Sequence, residues 1–130
     1  MEKPKYREME VSEPWASLIF EGKKKVEVRK NDPTNWGSVM HADILCIVNR
    51  QTGEKRWFYV KDVRKYKSLD ECIIAEGVRN LLPGKTELMD AQLTYLSFDG
   101  ISLEALQRRA KEFEKFGCIA IELKPWEKPK

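Results

Sequence analysis

The sequence predicts an α+β domain, a pattern that a small mixed β-barrel with helices covering one opening satisfies. Three observations predict it. The hydrophobic period switches from helical to strand-like within one short segment, residues 14–29, with Gly22 at the junction. Short strand-like runs recur along the chain, interrupted by helical stretches but without regular strand–helix–strand alternation, which excludes a doubly wound parallel sheet. At 130 residues the chain is long enough for a real core and too short for two ordinary ones, so residues 1–130 are read as a single domain.

In chain order, residues 1–7 are charged and proline-bearing and read as a loose lead-in. Residues 8–11 alternate and read as the first strand. Pro14 suits a first helical turn, where its missing N–H has no intrahelical partner. Trp15, Leu18 and Ile19 then fall at i, i+3 and i+4, giving one apolar stripe, and Gly22 stops the helix. From Val26 to Arg29 the period is two, with Val26 and Val28 on one face and Glu27 and Arg29 on the other. Residues 30–38 are dense in turn formers and read as a loop that carries Trp36. Residues 44–48 are almost wholly apolar and read as a strand buried on both faces, and Thr52-Gly53 marks a hairpin. Residues 56–63 alternate, with Trp57, Tyr59 and Val63 on one side and Phe58, Val60 and Asp62 on the other.

Ser68-Leu-Asp-Glu71 is a capping-box pattern that opens a helix reaching Gly77. Residues 78–85 end in a Pro-Gly-Lys turn. Thr86 is placed to cap a helix through Met89, Leu93 and Leu96. Residues 102–116 form the clearest helix, with Leu103, Leu106, Ala110 and Phe113 as its core stripe and Arg108, Arg109, Lys111 and Glu112 on its wet face. Gly117 stops it, and residues 118–123 form a last strand with Ile119, Ile121 and Leu123 on one face. The chain shows no internal repeat, linker or low-complexity tract.

Charged residues make up 35% of the chain, yet 24 Lys+Arg stand against 21 Asp+Glu, a net of +3. That mild bias excludes a polyanion binder that works by bulk charge; local clustering has to carry any nucleic-acid role. The three cysteines, Cys46, Cys72 and Cys118, stand far apart, which argues for a reducing, cytoplasmic setting and against a disulfide frame. With His41 as the single histidine, the parts for a His-based zinc site or a Ser-His-Asp triad are missing, and no metal or cofactor is expected. No apolar run approaches a membrane span, and the charged N-terminus does not read as a signal peptide.

The candidate site lies at the helix-to-strand junction. Lys23, Lys24 and Lys25 follow Gly22, and Glu27 and Arg29 follow on one strand face. Taken alone, three lysines after a helix are most simply a solvated turn favoured by the helix dipole. An acid between bases changes that, because it can orient an ammonium toward a phosphate or carbonyl while its own charge is neutralised. If the site binds, Lys24 and Arg29 contact phosphate oxygens, and Trp15, Trp36 or Tyr66 stacks a base. For Trp36 the simpler alternative is a hydrophobic lid. A protein–protein module, using the 108–115 face and the Trp126 tail, is a further class.

Gly22, Lys24, Glu27 and Arg29 match the Gly-x-Lys-x-x-Glu-x-Arg signature of the ASCH superfamily, and the preceding Pro-Trp-Ala-Ser-Leu resembles the same segment of activating signal cointegrator-type ASCH domains. Tyr66 followed by Ser-Leu-Asp-Glu resembles the post-barrel segment of many members. Where members usually show Gly-Asp, this chain has Ala42-Asp43. The resemblance implies a PUA-like barrel and an RNA, nucleotide or nucleoside partner. One ASCH branch hydrolyses N4-acetylcytidine with a lysine at the Lys24 position, a threonine at the Glu27 position and a later glutamate, for which Glu71 and Glu76 are the candidates here. Glu27 in place of threonine removes that branch's hydroxyl, and some members are ribonucleases without a motif that decides the matter here. Binding is therefore the favoured reading and catalysis by Lys24 and Glu27 the alternative. The oligomeric state is not legible.

Overall fold

The computed structural model describes residues 6–127. Strand β1 (Tyr6–Val11) leads into helix α1 (Trp15–Phe20), then β2 (Val26–Lys30), β3 (Ile44–Asn49), β4 (Lys55–Tyr66), α2 (Leu69–Glu76), α3 (Val78–Leu81), α4 (Leu88–Leu96), α5 (Leu103–Phe116) and β5 (Cys118–Pro125), with 3-10 turns at Trp36–Ser38 and Ser97–Asp99. The five strands form one sheet in the order β1-β3-β4-β5-β2. β1 runs parallel to β3, and the remaining pairs are antiparallel. The result is the expected mixed, barrel-like sheet with helices. Tyr6 and Arg7, read as lead-in, already belong to β1, and the rest of that lead-in lies outside the described residues.

Strand β5 shows how the sheet is held. All of Cys118–Ile121 is buried, as is Leu123. Ile119, Ile121 and Leu123 join a core with Met9, Leu45, Ile47, Phe58, Val60 and Ile19 of α1. Cys118 and Ala120, one residue out of phase, join a second core with Val26, Val28, Ile73, Leu81, Tyr95 and Phe113. Period-two alternation thus serves both faces, and the small residues on the second let the helices approach closely. Each fully buried Leu or Ile contributes about 1.5–3 kcal/mol.

Four expectations are corrected. In β4 the register shifts between Val60 and Asp62, so Val63 follows Phe58 and Val60 into the first core, and Asp62 does not share their face. Residues 78–81, read as part of a turn segment, form the one-turn helix α3. Helix α4 packs through Ala91 and Tyr95, while Met89 and Leu93 are exposed, and its N-cap position is Glu87 rather than Thr86. The stripe on α5 is rotated: Ala105 and Phe113 are buried and Leu103 is exposed. Its half-buried side carries Arg109 and Glu112, both read as wet, because each has a specific partner there: Glu112 pairs with Lys30, and Arg109 donates to the Tyr95 carbonyl at 3.2 Å. The caps at Ser68 and Ser102 form as the sequence indicates, each hydroxyl accepting an N–H three residues on at 3.1 Å.

Ala42 adopts φ +72° in the turn before β3, the left-handed region that glycine occupies cheaply. The turn is fixed on both sides, by Ala42 N–H donating to Val60 O at 2.8 Å and Met40 N–H donating to Asp43 Oδ2 at 2.9 Å. Ala42→Gly is expected to stabilise the fold by about 0.5–1 kcal/mol, the relieved strain less the entropy cost of a glycine in the unfolded chain. Chemical denaturation reads this directly, and a destabilised variant would show that the alanine is not strained.

Candidate functional site

The sheet leaves β1 and β2 as its edges, and the two approach at one point. Arg29, on β2, donates through Nη2 to the backbone carbonyl of Glu10 on β1 at 2.7 Å. Beside this bridge is a cavity of about 570 Å³, within the range of small-molecule sites. Its walls come from the end of β1, Trp15 of α1, residues 27–30 of β2, the loop bearing Trp36, Tyr95 of α4, Phe98 of the 3-10 turn that follows it and Arg109 of α5.

Lys24 lies behind this cavity, 1% exposed and outside its lining. Its Nζ donates to Val26 O at 2.6 Å and to Leu81 O of α3, and stands 3.5 Å from Glu27 Oε1. Gly22, at φ +79°, turns the chain so that the lysine enters the protein instead of following Lys23 and Lys25 outward. Glu27, 7% exposed, receives Arg29 Nη2 on its other oxygen at 2.9 Å and the Val28 N–H at 3.3 Å. Burial alone would raise the Glu27 carboxyl, but the Arg29 and Lys24 charges and the Arg29 hydrogen bond hold it below the usual carboxylate value. Burial outweighs Glu27 at Lys24 and lowers that ammonium. The net arrangement is an ionised carboxylate fixed at the cavity wall between two cations.

Trp36 is set by its loop. Gly37 N–H donates to Asp32 O at 2.8 Å, and a Cβ on Gly37 would stand 2.6 Å from that same oxygen, so only glycine fits. Arg7 lies over the Trp36 ring at 4.1 Å and Arg29 at 5.7 Å. Two further carboxylates reach the lining but are occupied locally: Glu13 accepts from Ser17 N–H and Oγ, Asp32 from Thr34 N–H and Oγ1.

Of the residues singled out in the sequence, Glu27, Arg29, Trp15 and Trp36 line one cavity, with Lys24 behind Glu27. Lys23 and Lys25 are exposed elsewhere, Lys23 paired with Glu21 at 3.2 Å. Tyr66 is also outside the lining and donates its hydroxyl to Glu76, whose carboxylate is held by Arg64 at 2.6 and 2.8 Å; Glu71 is exposed. Tyr95, Phe98 and Arg109 were missed. For Tyr95, its place four residues after Ala91 on one helix face was the available signal. Its hydroxyl is buried with no hydrogen-bond partner among the described residues, and burial holds the phenol well above its ordinary value.

A family model described as the ASCH domain matches residues 9–127. The chain belongs to the ASCH domain family. ASCH domains are generally associated with RNA binding. The crystal structure of hypothetical protein PH0355 superposes with a TM-score of 0.74 at 30% identity, covering 93% of this chain and 99% of that one. The solution structure of protein PF0455 from Pyrococcus furiosus gives 0.67 at 29%, covering 95% and 99%. A point mutant of ZmASCH from Zymomonas mobilis gives 0.56 at 16%, covering 95% and 70%, a likeness of fold alone. No curated protein matches the sequence. Among the described residues no helix is long and apolar enough to cross a membrane, and no cluster of three or more His, Cys, Asp or Glu is placed to hold a metal.

Lys24→Met is expected to destabilise this ASCH domain by about 3–5 kcal/mol, because it strips Glu27 of one cation and leaves two carbonyls unpaired. Lys24→Met with Glu27→Gln should cost less than the two single changes summed; strict additivity in urea unfolding would argue against the coupling. The pH dependence has a definite sign. Glu27, Glu76 and Glu122 all lie below the ordinary 4.5, so the stability they contribute is complete above that pH and is lost as pH falls through their lower folded values. Unfolding midpoints should fall steadily below about pH 4.5, and less so in Glu27→Gln.

Proposed function

We propose that this ASCH domain binds single-stranded RNA by admitting one unstacked base into the cavity between β1, β2 and α4. The observation that carries the reading is Glu27, an ionised acceptor fixed by Lys24 and Arg29 at the wall of an aromatic-lined cavity. Aromatic rings offer stacking surface to any base, and a carboxylate accepts from an exocyclic amino group or a ring N–H. The volume suits one nucleoside rather than a stacked pair, and duplex bases, locked in their stack, do not enter.

Lys24 supports binding indirectly in this reading. With its donors taken by two carbonyls and Glu27, it orients the carboxylate and leaves phosphate contacts to cations at the rim. A base role is disfavoured by position, since Lys24 lies behind Glu27 and outside the cavity lining. Hydrolysis of N4-acetylcytidine also needs a later acid, and neither Glu71 nor Glu76 reaches the cavity.

Fluorescence anisotropy with a labelled, mixed-sequence single strand tests the reading. Binding should follow salt with a log–log slope of about −1.5 to −2, as for two or three phosphate contacts. Glu27→Gln and Trp36→Ala should each weaken binding by about tenfold or more. Equal affinity for duplex and single strand would sink the base-insertion reading. Acetate release from N4-acetylcytidine by the wild-type protein, lost in Glu27→Gln, would replace binding with hydrolysis.

A further inference from the structure

Both aromatic residues at the cavity mouth carry a pair of arginines. Trp36 has Arg7 and Arg29 at 4.1 and 5.7 Å from its ring centre. Phe98 lies within reach of Arg50 and Arg109, at 5.6 and 5.3 Å. The inner member of each pair is committed: Arg29 to Glu27 and Glu10 O, Arg109 to Tyr95 O. The outer members differ. Arg50 is exposed, and among the described residues neither it nor Arg7 is within ion-pair distance of a carboxylate; Arg7 instead bonds Ser38 Oγ at 3.1 Å and Asn35 O.

Strand β1 measures the distance between them. Arg7 stands opposite Leu45, Val11 opposite Asn49, and Arg50 follows directly, its N–H donating to Val11 O at 3.0 Å. Five residues of strand place the two arginines on the order of 16 Å apart. The Arg29–Glu10 bridge beside the cavity falls between them.

We infer that Arg7 and Arg50 contact phosphates on opposite sides of the inserted base and more than one nucleotide apart, so that the ligand is a continuous single strand crossing the cavity mouth along β1 and not a free nucleoside or mononucleotide. This rests on the reading of the cavity as a base site. A mononucleotide seated there carries phosphate on one side only and engages one arginine; a strand carries phosphate on both. Stacking on Phe98 limits the motion of the Arg50 guanidinium and leaves its edge N–H groups for bidentate contact with phosphate oxygens, while Arg7, held through Nη1 by Ser38 and Asn35, offers its remaining N–H groups.

The test compares the four ribonucleoside monophosphates with a short mixed-sequence RNA strand, using wild type, Arg50→Ala, Arg50→Lys and Glu27→Gln. The strand should bind more tightly than any monophosphate and with a steeper salt slope. Arg50→Ala should flatten the slope for the strand by about 0.7, so that its defect shrinks about 2- to 3-fold between 50 and 200 mM salt. Arg50→Lys should keep the slope, since charge suffices for counterion release. Arg50 is exposed, so a folding defect is not expected, and circular dichroism checks it. If Arg50→Ala binds the strand like wild type while Glu27→Gln does not, the flanking-contact inference is overturned and the base site stands. If wild type binds neither ligand, both fall.

Discussion

The structure turns on one buried charge. A lysine ammonium inside a protein is costly unless every donor is met, and Lys24 is met by Val26 O, Leu81 O and Glu27. Two of those partners, Val26 and Glu27, lie on strand β2, and the third, Leu81, lies on helix α3. Lys24 therefore couples the turn after α1 to the helical layer and fixes the Glu27 side chain. Glu27 in turn holds Arg29, and Arg29 reaches across the sheet edge to Glu10 on β1. One chain of charge-assisted contacts thus spans helix layer, β2 and β1, and the cavity opens beside it. The short α3 matters here because its Leu81 carbonyl is one of the two that accept from Lys24.

Much of this was legible in the sequence wherever period and local chemistry agree. The switch of period at Gly22, the alternation of Val26 and Val28, and the serine caps before α2 and α5 are local signals, and the structure has the elements they indicate. Glu27 and Arg29, two residues apart on a strand, had to share a face. What was not legible depends on contacts between distant segments. Leu103 fits an apolar stripe as well as Ala105 does, and the choice is made by Lys30 and Tyr95, which draw Glu112 and Arg109 inward. The bulge in β4 inserts a residue with no turn former to announce it, so the face assignment past Val60 could not be read from alternation.

The burial of Lys24 illustrates the same limit from the functional side. By residue type alone, three consecutive lysines are interchangeable, and the signature that singles out Lys24 does not say where its side chain goes. In the fold, Lys23 and Lys25 are exposed and Lys24 is enclosed, because the left-handed turn at Gly22 rotates one side chain of the three inward. A motif lysine of the kind that binds phosphate becomes the support of an acceptor. The cavity's chemistry then differs from a purely cationic groove: it offers a fixed negative acceptor within, aromatic walls around it, and positive charge at the rim.

Under the proposed function, that distribution also accounts for polyanion binding by a chain with a net charge of only +3. What counts for phosphate is not the number of basic residues but how many retain an open charge. Lys23, Lys24, Arg29, Lys30, Lys55, Arg56, Lys61 and Arg64 each stand in an ion pair with a nearby acid, and their fields are largely cancelled at distance. Arg7 and Arg50 lie over aromatic rings instead, and a ring quadrupole orients a guanidinium without neutralising it. Aromatic contact and ion pairing therefore have opposite consequences for recognition: the first keeps the charge available and aimed, the second uses it inside the fold. Around this cavity the inner arginines, Arg29 and Arg109, touch the same rings but are also committed to Glu27 and the Tyr95 carbonyl, while the outer two, Arg7 and Arg50, carry no ion pair among the described residues, which is the order that a ligand with an inserted base and an external phosphate backbone would require.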